Sequence, residues 1–232
     1  MTQSSNQYNT TVAAIKVKGE QARTFLQGQL TCDVKNVTGT HSVRGALCNT
    51  KGRILTLVNV VLYQDVLYLQ LIKSQIAATI KSLSKAAMLS RVILTETTLK
   101  TPIDFATWHD AQLQDGHVLI YPETRGLYLP HQLELDKKGY ISFDKGCYKG
   151  QEIIARMHYL GKIKTEFKLF HAETDAPLTP GQMLYDEKQT AVAELVDISE
   201  KYTIGIITKT PCPEVLMTDS QEVIQLTPLQ SG

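Results

Sequence analysis

The chain has 232 residues, of which 43% are hydrophobic and 20% charged, as in an ordinary globular protein that needs no metal or disulfide to hold its core. No run approaches the roughly 18 apolar residues that span a bilayer, and the polar start, which we expect to be frayed, does not have the pattern of a signal peptide. A net charge of +1 gives no overall attraction to nucleic acid. We therefore expect a cytoplasmic protein without membrane contacts, whose cysteines are free thiols.

Apolar periodicity predicts a layered first half. In chain order the predicted elements are a strand at 12–18, a helix at 19–30, strands at 41–49, 53–63 and 66–72, a helix at 73–88 and a buried strand at 91–95. Gly52 is expected in a left-handed turn between two of the strands, and Gln64 and Asp65 form a second tight turn. This order is typical of helices that cover one face of a largely antiparallel sheet.

The rest of the chain changes character twice. From 97 to 135 it is interrupted by proline and glycine, which predicts a loop-rich segment around Trp108, where binding residues tend to lie. After residue 163 short β-rich runs predict a small antiparallel barrel. We expect three parts: an N-terminal α+β domain at 1–97, a shortened central segment at 98–163 and a C-terminal β-barrel at 164–232.

The stretch KGCYKGQE places Cys147 between two glycines and two lysines, before a helix with apolar residues at 153, 154, 157 and 160. Free amides at the helix start, together with Lys145 and Lys149, are expected to lower the pKa of the thiol. Such a thiolate could be a nucleophile, a metal or cluster contact, or a redox sensor. The alternative is a small packed residue in a glycine-rich turn.

Two further features are candidates for binding. Basic residues outnumber the one acid between 145 and 164, which predicts a positive patch for an anionic ligand or a phosphate backbone; the alternative is a solvated helix face. Trp108 could stack on a planar ligand or fill the junction between parts. Nucleotide-binding glycine motifs, zinc-protease motifs and serine-hydrolase motifs are absent from the sequence.

The run GYISFDKGCYKGQEIIARMHYLG resembles the signature of the YgfZ family, the folate-binding relatives of the glycine cleavage T-protein. GEQARTFLQGQLTCDV at 19–34 and ALCNTKGRI at 46–54 resemble its N-terminal signature, and Trp108 with 129–131 falls in its central segment. The resemblance implies ferredoxin-like α+β layers around a central folate cleft, with a C-terminal antiparallel β-barrel. The chain is shorter than longer family members near 96–104.

The resemblance also implies functions for particular residues. It makes Cys147 and Lys145 the candidate reactive groups. Cys147 is also a candidate contact to an iron–sulfur cluster, and no resident metal is expected. The residues it assigns to tetrahydrofolate or a one-carbon derivative are Trp108, Tyr148, Gln151, Glu152 and Arg156. The implied function is support of iron–sulfur cluster assembly or repair and, through cluster enzymes, of tRNA modification, with folate and iron–sulfur client proteins as direct partners.

Two alternatives remain at the level of sequence. A folate-dependent aminomethyltransferase requires a carboxylate that T-proteins have after the third or fourth strand, and no acidic residue occurs between Asp65 and Glu96. We therefore expect no turnover by the chain itself. The other alternative is a module that binds tRNA directly through the basic patch.

Overall fold

The computed structural model describes residues 11–98, 104–209 and 212–229, so the polar start lies outside the described residues. Its elements, in chain order, are β1 (Val12–Lys18), α1 (Ala22–Gln29), β2 (Val43–Cys48), β3 (Ile54–Tyr63), β4 (Val66–Ile72), α2 (Ile76–Leu89), β5 (Ile93–Thr97), α3 (Phe105–Gln114), α4 (Gln151–Leu160), β6 (Glu166–Glu173), β7 (Met183–Tyr185), β8 (Ala191–Ile198), β9 (Thr203–Thr208), β10 (Val215–Met217) and β11 (Val223–Pro228). Short 3-10 helices lie at Val34–Asn36, Lys73–Gln75 and Pro130–Leu133. No helix of the described part of the chain has the length and apolar character needed to cross a membrane.

The first half is an antiparallel sheet in the order β2-β3-β4-β1-β5, with α1 and α2 packed on one face. The predicted succession of strands and helices is confirmed. Gly52 has a φ of 70°, and Gln64 and Asp65 have φ values of 46° and 59°, as their turns require. The core between helices and sheet is formed by side chains such as Leu26, Leu83 and Leu69, so these elements form one layered unit.

The prediction of a buried strand at 91–95 is wrong in one respect. β5 pairs only with β1 among the described strands and lies at the edge of the sheet. The side chain of Ile93 is 66% exposed. The β-branched run indicated strand formation correctly, but an edge position leaves part of the strand open to solvent.

The second face of the sheet is covered by the central segment and the barrel. A shared core joins Ile54 of β3 to Leu113 of α3, Ile154 of α4 and Ile207 of β9. The described residues between β5 and β6 contain no strand. Trp108, expected in a loop, lies on α3, because 105–114 forms a helix despite its weak apolar periodicity.

The C-terminal strands close into a six-stranded antiparallel barrel in the order β10-β11-β6-β9-β8-β7, completed by the pairing of β10 with β7. The register of β8 shifts between Leu195 and Asp197. This bulge allows Val196 to join the shared core and directs the buried Asp197 towards α3 and the residues after it. The α+β class with a C-terminal barrel, expected from the sequence, is confirmed.

The barrel is attached through the carboxylate of Asp197. It accepts hydrogen bonds from His109 Nε2 at 3.1 Å, the Tyr121 hydroxyl at 2.7 Å and the backbone amide of Leu119 at 2.6 Å. Burial opposes a charge on His109, but Asp197 raises the pKa of its imidazole overall. A buried carboxylate with this many donors holds α3 and the following segment in place against the barrel.

Candidate functional site

A cavity of about 480 Å³ lies between the second face of the sheet and the central segment. Its floor follows from strand register: Arg44 pairs with Asn59 and Asn59 with Gln70, so these three polar side chains form a row across β2, β3 and β4. Asn59 Nδ2 donates to Gln70 Oε1 at 2.9 Å. The amide pair therefore presents both a donor and an acceptor group to the cavity.

One wall of the cavity is aromatic. Phe105 and Trp108 lie one turn apart on α3 with their ring centroids 5.6 Å apart, and both line the cavity. Val118 and Ile120 extend the same side with apolar surface. A flat ring can be held between such a wall and the polar floor.

A directed hydrogen-bond chain closes one end. Arg44 contacts His117 Nε2 at 2.5 Å and donates to Gln112 Oε1 at 2.7 Å, and His117 Nδ1 lies 3.2 Å from the Tyr140 hydroxyl. Burial and the Arg44 charge lower the pKa of His117 to about 4, so its ring is neutral near pH 7. Because a guanidinium can only donate, Nε2 accepts and Nδ1 donates to the oxygen of Tyr140. The hydroxyl hydrogen of Tyr140 then remains available to a bound ligand.

The charges of the cavity have one sign. Arg44 and Lys73 line it, and none of its described lining residues is an aspartate or a glutamate. Arg44 lies on the floor, whereas Lys73 begins the turn after β4 and is exposed. Cations in a recess with partly apolar walls attract an anionic ligand more strongly than the same cations on an open surface.

The KGCYKGQE motif lies outside this cavity, at the end of α1. The ammonium of Lys145 is buried and donates to the backbone oxygens of Gln27, Leu30 and Cys32, each at 2.7 Å. Burial lowers the pKa of Lys145 to about 8. Its three hydrogen bonds go to the backbone, so Lys145 attaches the motif to the end of α1.

The other motif residues form the start of α4. Gly150, with a φ of 85°, precedes the helix, and an added Cβ there would lie 2.5 Å from the Asn49 oxygen. Gln151 Oε1 accepts from the Tyr148 amide at 3.2 Å, and the Tyr148 ring is buried with the Lys145 ammonium 5.0 Å from its centroid. Gly150 thus permits a close approach of the motif to the β2–β3 turn, and Gln151 fixes the turn of the motif before α4. Cys147 itself is exposed.

Of the residues predicted to bind folate, one lines the cavity and the others lie in the KGCYKGQE motif or on α4. Trp108 lines the cavity, whereas Tyr148 and Gln151 shape the motif, and Glu152 and Arg156 are exposed on α4. The residues that the sequence analysis missed are Arg44, Asn59, Gln70, His117 and Tyr140. Alternate polar positions within otherwise apolar strands were the available signal for the three floor residues.

Comparison with known proteins shows relatives along most of the chain. "tRNA-modifying protein YgfZ" of Colwellia psychrerythraea is 23% identical over 240 residues, covering 76% of this chain and 74% of the relative. An uncharacterized protein of Haemophilus influenzae is 28% identical over 200 residues, covering 69% and 71%. No family model matches the chain.

A solved structure has the same fold. The crystal structure of the glycine cleavage system aminomethyltransferase T from Bartonella henselae superposes with a TM-score of 0.68 at 11% identity, covering 95% of this chain and 83% of that one. At this identity the likeness concerns the fold and not the activity. The resemblance of the chain to the YgfZ family, indicated by its motifs, is thus confirmed, and the chain has the fold of aminomethyltransferase T.

Proposed function

We propose that this chain binds a reduced folate in the cationic cavity and supports the assembly or repair of iron–sulfur clusters and, through cluster enzymes, tRNA modification. The observation that carries the proposal is the combination of an aromatic wall, a polar amide floor and two cations in one cavity, without a lining carboxylate among the described residues. The name of the relatives, tRNA-modifying protein, supports the link to tRNA modification.

The residues of the cavity fit the chemistry of tetrahydrofolate. The planar pyrimidinone ring of its bicyclic head can pack on Trp108, and the nitrogens and oxygen of that ring can pair with the amides of Asn59 and Gln70. The carboxylates of its glutamate tail are suited to Arg44 or to Lys73 at the end of β4. A volume of about 480 Å³ lies within the usual range of ligand pockets, roughly 300–1,000 Å³.

The same cavity argues against an aminomethyltransferase. Proton transfer to or from a folate nitrogen needs an acid or base within hydrogen-bond reach. The described lining offers a neutral His117 that already accepts from Arg44, a tyrosine and no carboxylate. A binding function without turnover therefore suits these groups better than group transfer does.

Cys147 is the group we propose to face a client protein or a cluster. Its side chain is exposed, whereas Cys32 and Cys48 are buried and burial raises the pKa of each of these thiols, to about 11 and about 12. An accessible thiol held on a fixed turn can contact a partner without rearrangement of the fold. The motif would then present the thiol, and the cavity would hold the folate.

Folate binding is tested by titrating tetrahydrofolate against the emission of Trp108, the single tryptophan of the chain. We expect saturable quenching after correction for absorbance. Isothermal calorimetry on the Trp108→Phe variant serves as the control, because that variant lacks the signal but keeps an aromatic wall. Absence of saturable binding by both methods would contradict the folate proposal.

The cluster function is tested separately in cells that lack the protein. We expect the Cys147→Ala variant to fail to restore the activity of iron–sulfur enzymes although it still binds folate. Full rescue would leave Cys147 without the proposed function. Tight binding of tRNA by the purified chain, with an affinity that falls steeply with salt, would favour the direct RNA-binding alternative instead.

A further inference from the structure

Three potential metal ligands converge at a position that the proposed function does not use. They are His131 in the 3-10 helix Pro130–Leu133, Asp136 shortly after it, and His158 near the end of α4. One ligand atom from each lies within 4.8 Å of the others. The three residues come from two elements that pack together, and no short sequence motif joins them.

The state of His131 distinguishes this cluster from a chance grouping. Its side chain is buried, with 4% exposure, and neither ring nitrogen has a hydrogen-bond partner among the described residues. A buried imidazole without a partner forfeits the hydrogen bonds that its nitrogens make in water. A metal ion bound to one of these nitrogens would compensate for part of that loss.

The surroundings hold the second histidine in position. The ring of Phe143 stacks on that of His158 with centroids 3.9 Å apart and an interplanar angle of 23°, and the His131 ring centroid lies 6.0 Å from that of His158. His158 Nδ1 lies 3.9 Å from Asp136 Oδ2. The stack therefore restricts the His158 ring to a plane beside the carboxylate.

We propose that His131, Asp136 and His158 bind a divalent first-row transition metal ion, with Zn²⁺ and Co²⁺ as suitable probes. Two imidazoles and one carboxylate are a donor set typical of these ions. In a tetrahedral site with bonds of about 2.0–2.1 Å, donor atoms stand roughly 3.4 Å apart. Rotation of the partly exposed Asp136 side chain, with a shift of the His158 ring within its stacking plane, can close the remaining gap around the buried His131.

The arrangement leaves a coordination position for solvent. The His158 side chain is 37% exposed and that of Asp136 18%, so a water or another small ligand can reach an ion held there. The bound ion would also connect α4, the helix that follows the KGCYKGQE motif, to the segment after the Pro130–Leu133 helix. We therefore expect metal binding to raise the thermal unfolding midpoint of the whole chain.

The test is titration of the full chain, freed of metal by a chelator, with Co²⁺ followed by visible absorption and with Zn²⁺ by calorimetry. We expect one ion per chain with the absorption of a four-coordinate site. His158→Gln and Asp136→Asn should each weaken binding by more than the roughly 10–100-fold that loss of an outer-shell partner causes. Because both residues are partly exposed, these variants should fold.

Two control variants separate this site from other ligands of the chain. His171→Gln removes an exposed histidine on the barrel, and Cys147→Ser removes the exposed thiol. We expect both to bind Co²⁺ as the unmodified chain does. Equal affinity of His158→Gln and His171→Gln, loss of the ion in Cys147→Ser, or no stoichiometric binding by the unmodified chain would each overturn the proposal.

Discussion

The cavity and the KGCYKGQE motif differ in how each uses its positive charge. In the cavity, Arg44 donates to the side chains of His117 and Gln112 and still has donors for a ligand. In the motif, Lys145 gives its hydrogen bonds to backbone oxygens, and the exposed thiol of Cys147 is what remains accessible. In the most recognisable motif of the sequence, Lys145 therefore has a structural part, whereas the cavity is built from residues that belong to no motif.

The largest effect predicted from this difference is on the free energy of unfolding. Lys145→Met should lower the free energy of unfolding by about 3 kcal/mol, because it leaves backbone oxygens at the end of α1 without their charged donor. Urea denaturation followed by circular dichroism measures the change.

Lys149→Met is the matched control for that experiment, since it removes the same charge from the same motif. Lys149 uses its backbone amide, which donates to the Gly28 oxygen, and this bond survives the substitution. We expect a change within about 0.5 kcal/mol. Equal losses in the two lysine variants would show that Lys145 is not a structural attachment.

The next effect is on ligand affinity and compares two arginines. Arg44→Met should weaken tetrahydrofolate binding by roughly 10–100-fold, the range expected for losing a hydrogen bond to a charged group. Arg156→Met, which removes an exposed arginine of α4 one turn after the motif, should leave affinity unchanged. Calorimetry on both variants measures the affinity for tetrahydrofolate. A larger loss of affinity in Arg156→Met than in Arg44→Met would indicate that folate binds near the motif and not in the cavity.

The last effect concerns pH. Burial and Arg44 hold the pKa of His117 near 4 in the folded chain, below the ordinary value of 6.5. Between these values the unfolded chain binds a proton that the folded chain does not, so stability should fall as pH falls from about 6.5 to about 4. In Arg44→Met the His117 pKa should rise, while burial keeps it below its ordinary value.

Nuclear magnetic resonance titration of the His117 ring checks this directly. A midpoint that is the same in the unmodified chain and in Arg44→Met would contradict the directed chain from Arg44 to Tyr140. An unchanged midpoint in Lys145→Met is the control, because that lysine lies outside the cavity.

Periodicity predicted the layered sheet well because burial on one face imposes a regular pattern on residues such as Ile15, Leu26 and Leu69. It failed for β5, where the exposure of Ile93 depends on which strand ends the sheet. It also failed for α3, whose helix is stabilised by contacts such as that of His109 with Asp197, far away in sequence.

The site was predicted only in part for the same reason. The motif indicated Cys147 and its tight turn, and the single tryptophan indicated Trp108. The row of Arg44, Asn59 and Gln70 depends on strand register, which joins residues from three separate runs. The contact of His117 with Arg44 spans 73 positions in sequence, so no local pattern could have paired them.

Backbone hydrogen exchange, measured by mass spectrometry with and without tetrahydrofolate, tests directly whether folate binds in the cavity. If the cavity holds the folate, peptides that include 56–59, 70–73 and 117–120 should gain protection, while peptides that cover 145–156 should not change. Protection confined to 145–156, or no protection at saturating folate, would show that the cavity does not hold the folate.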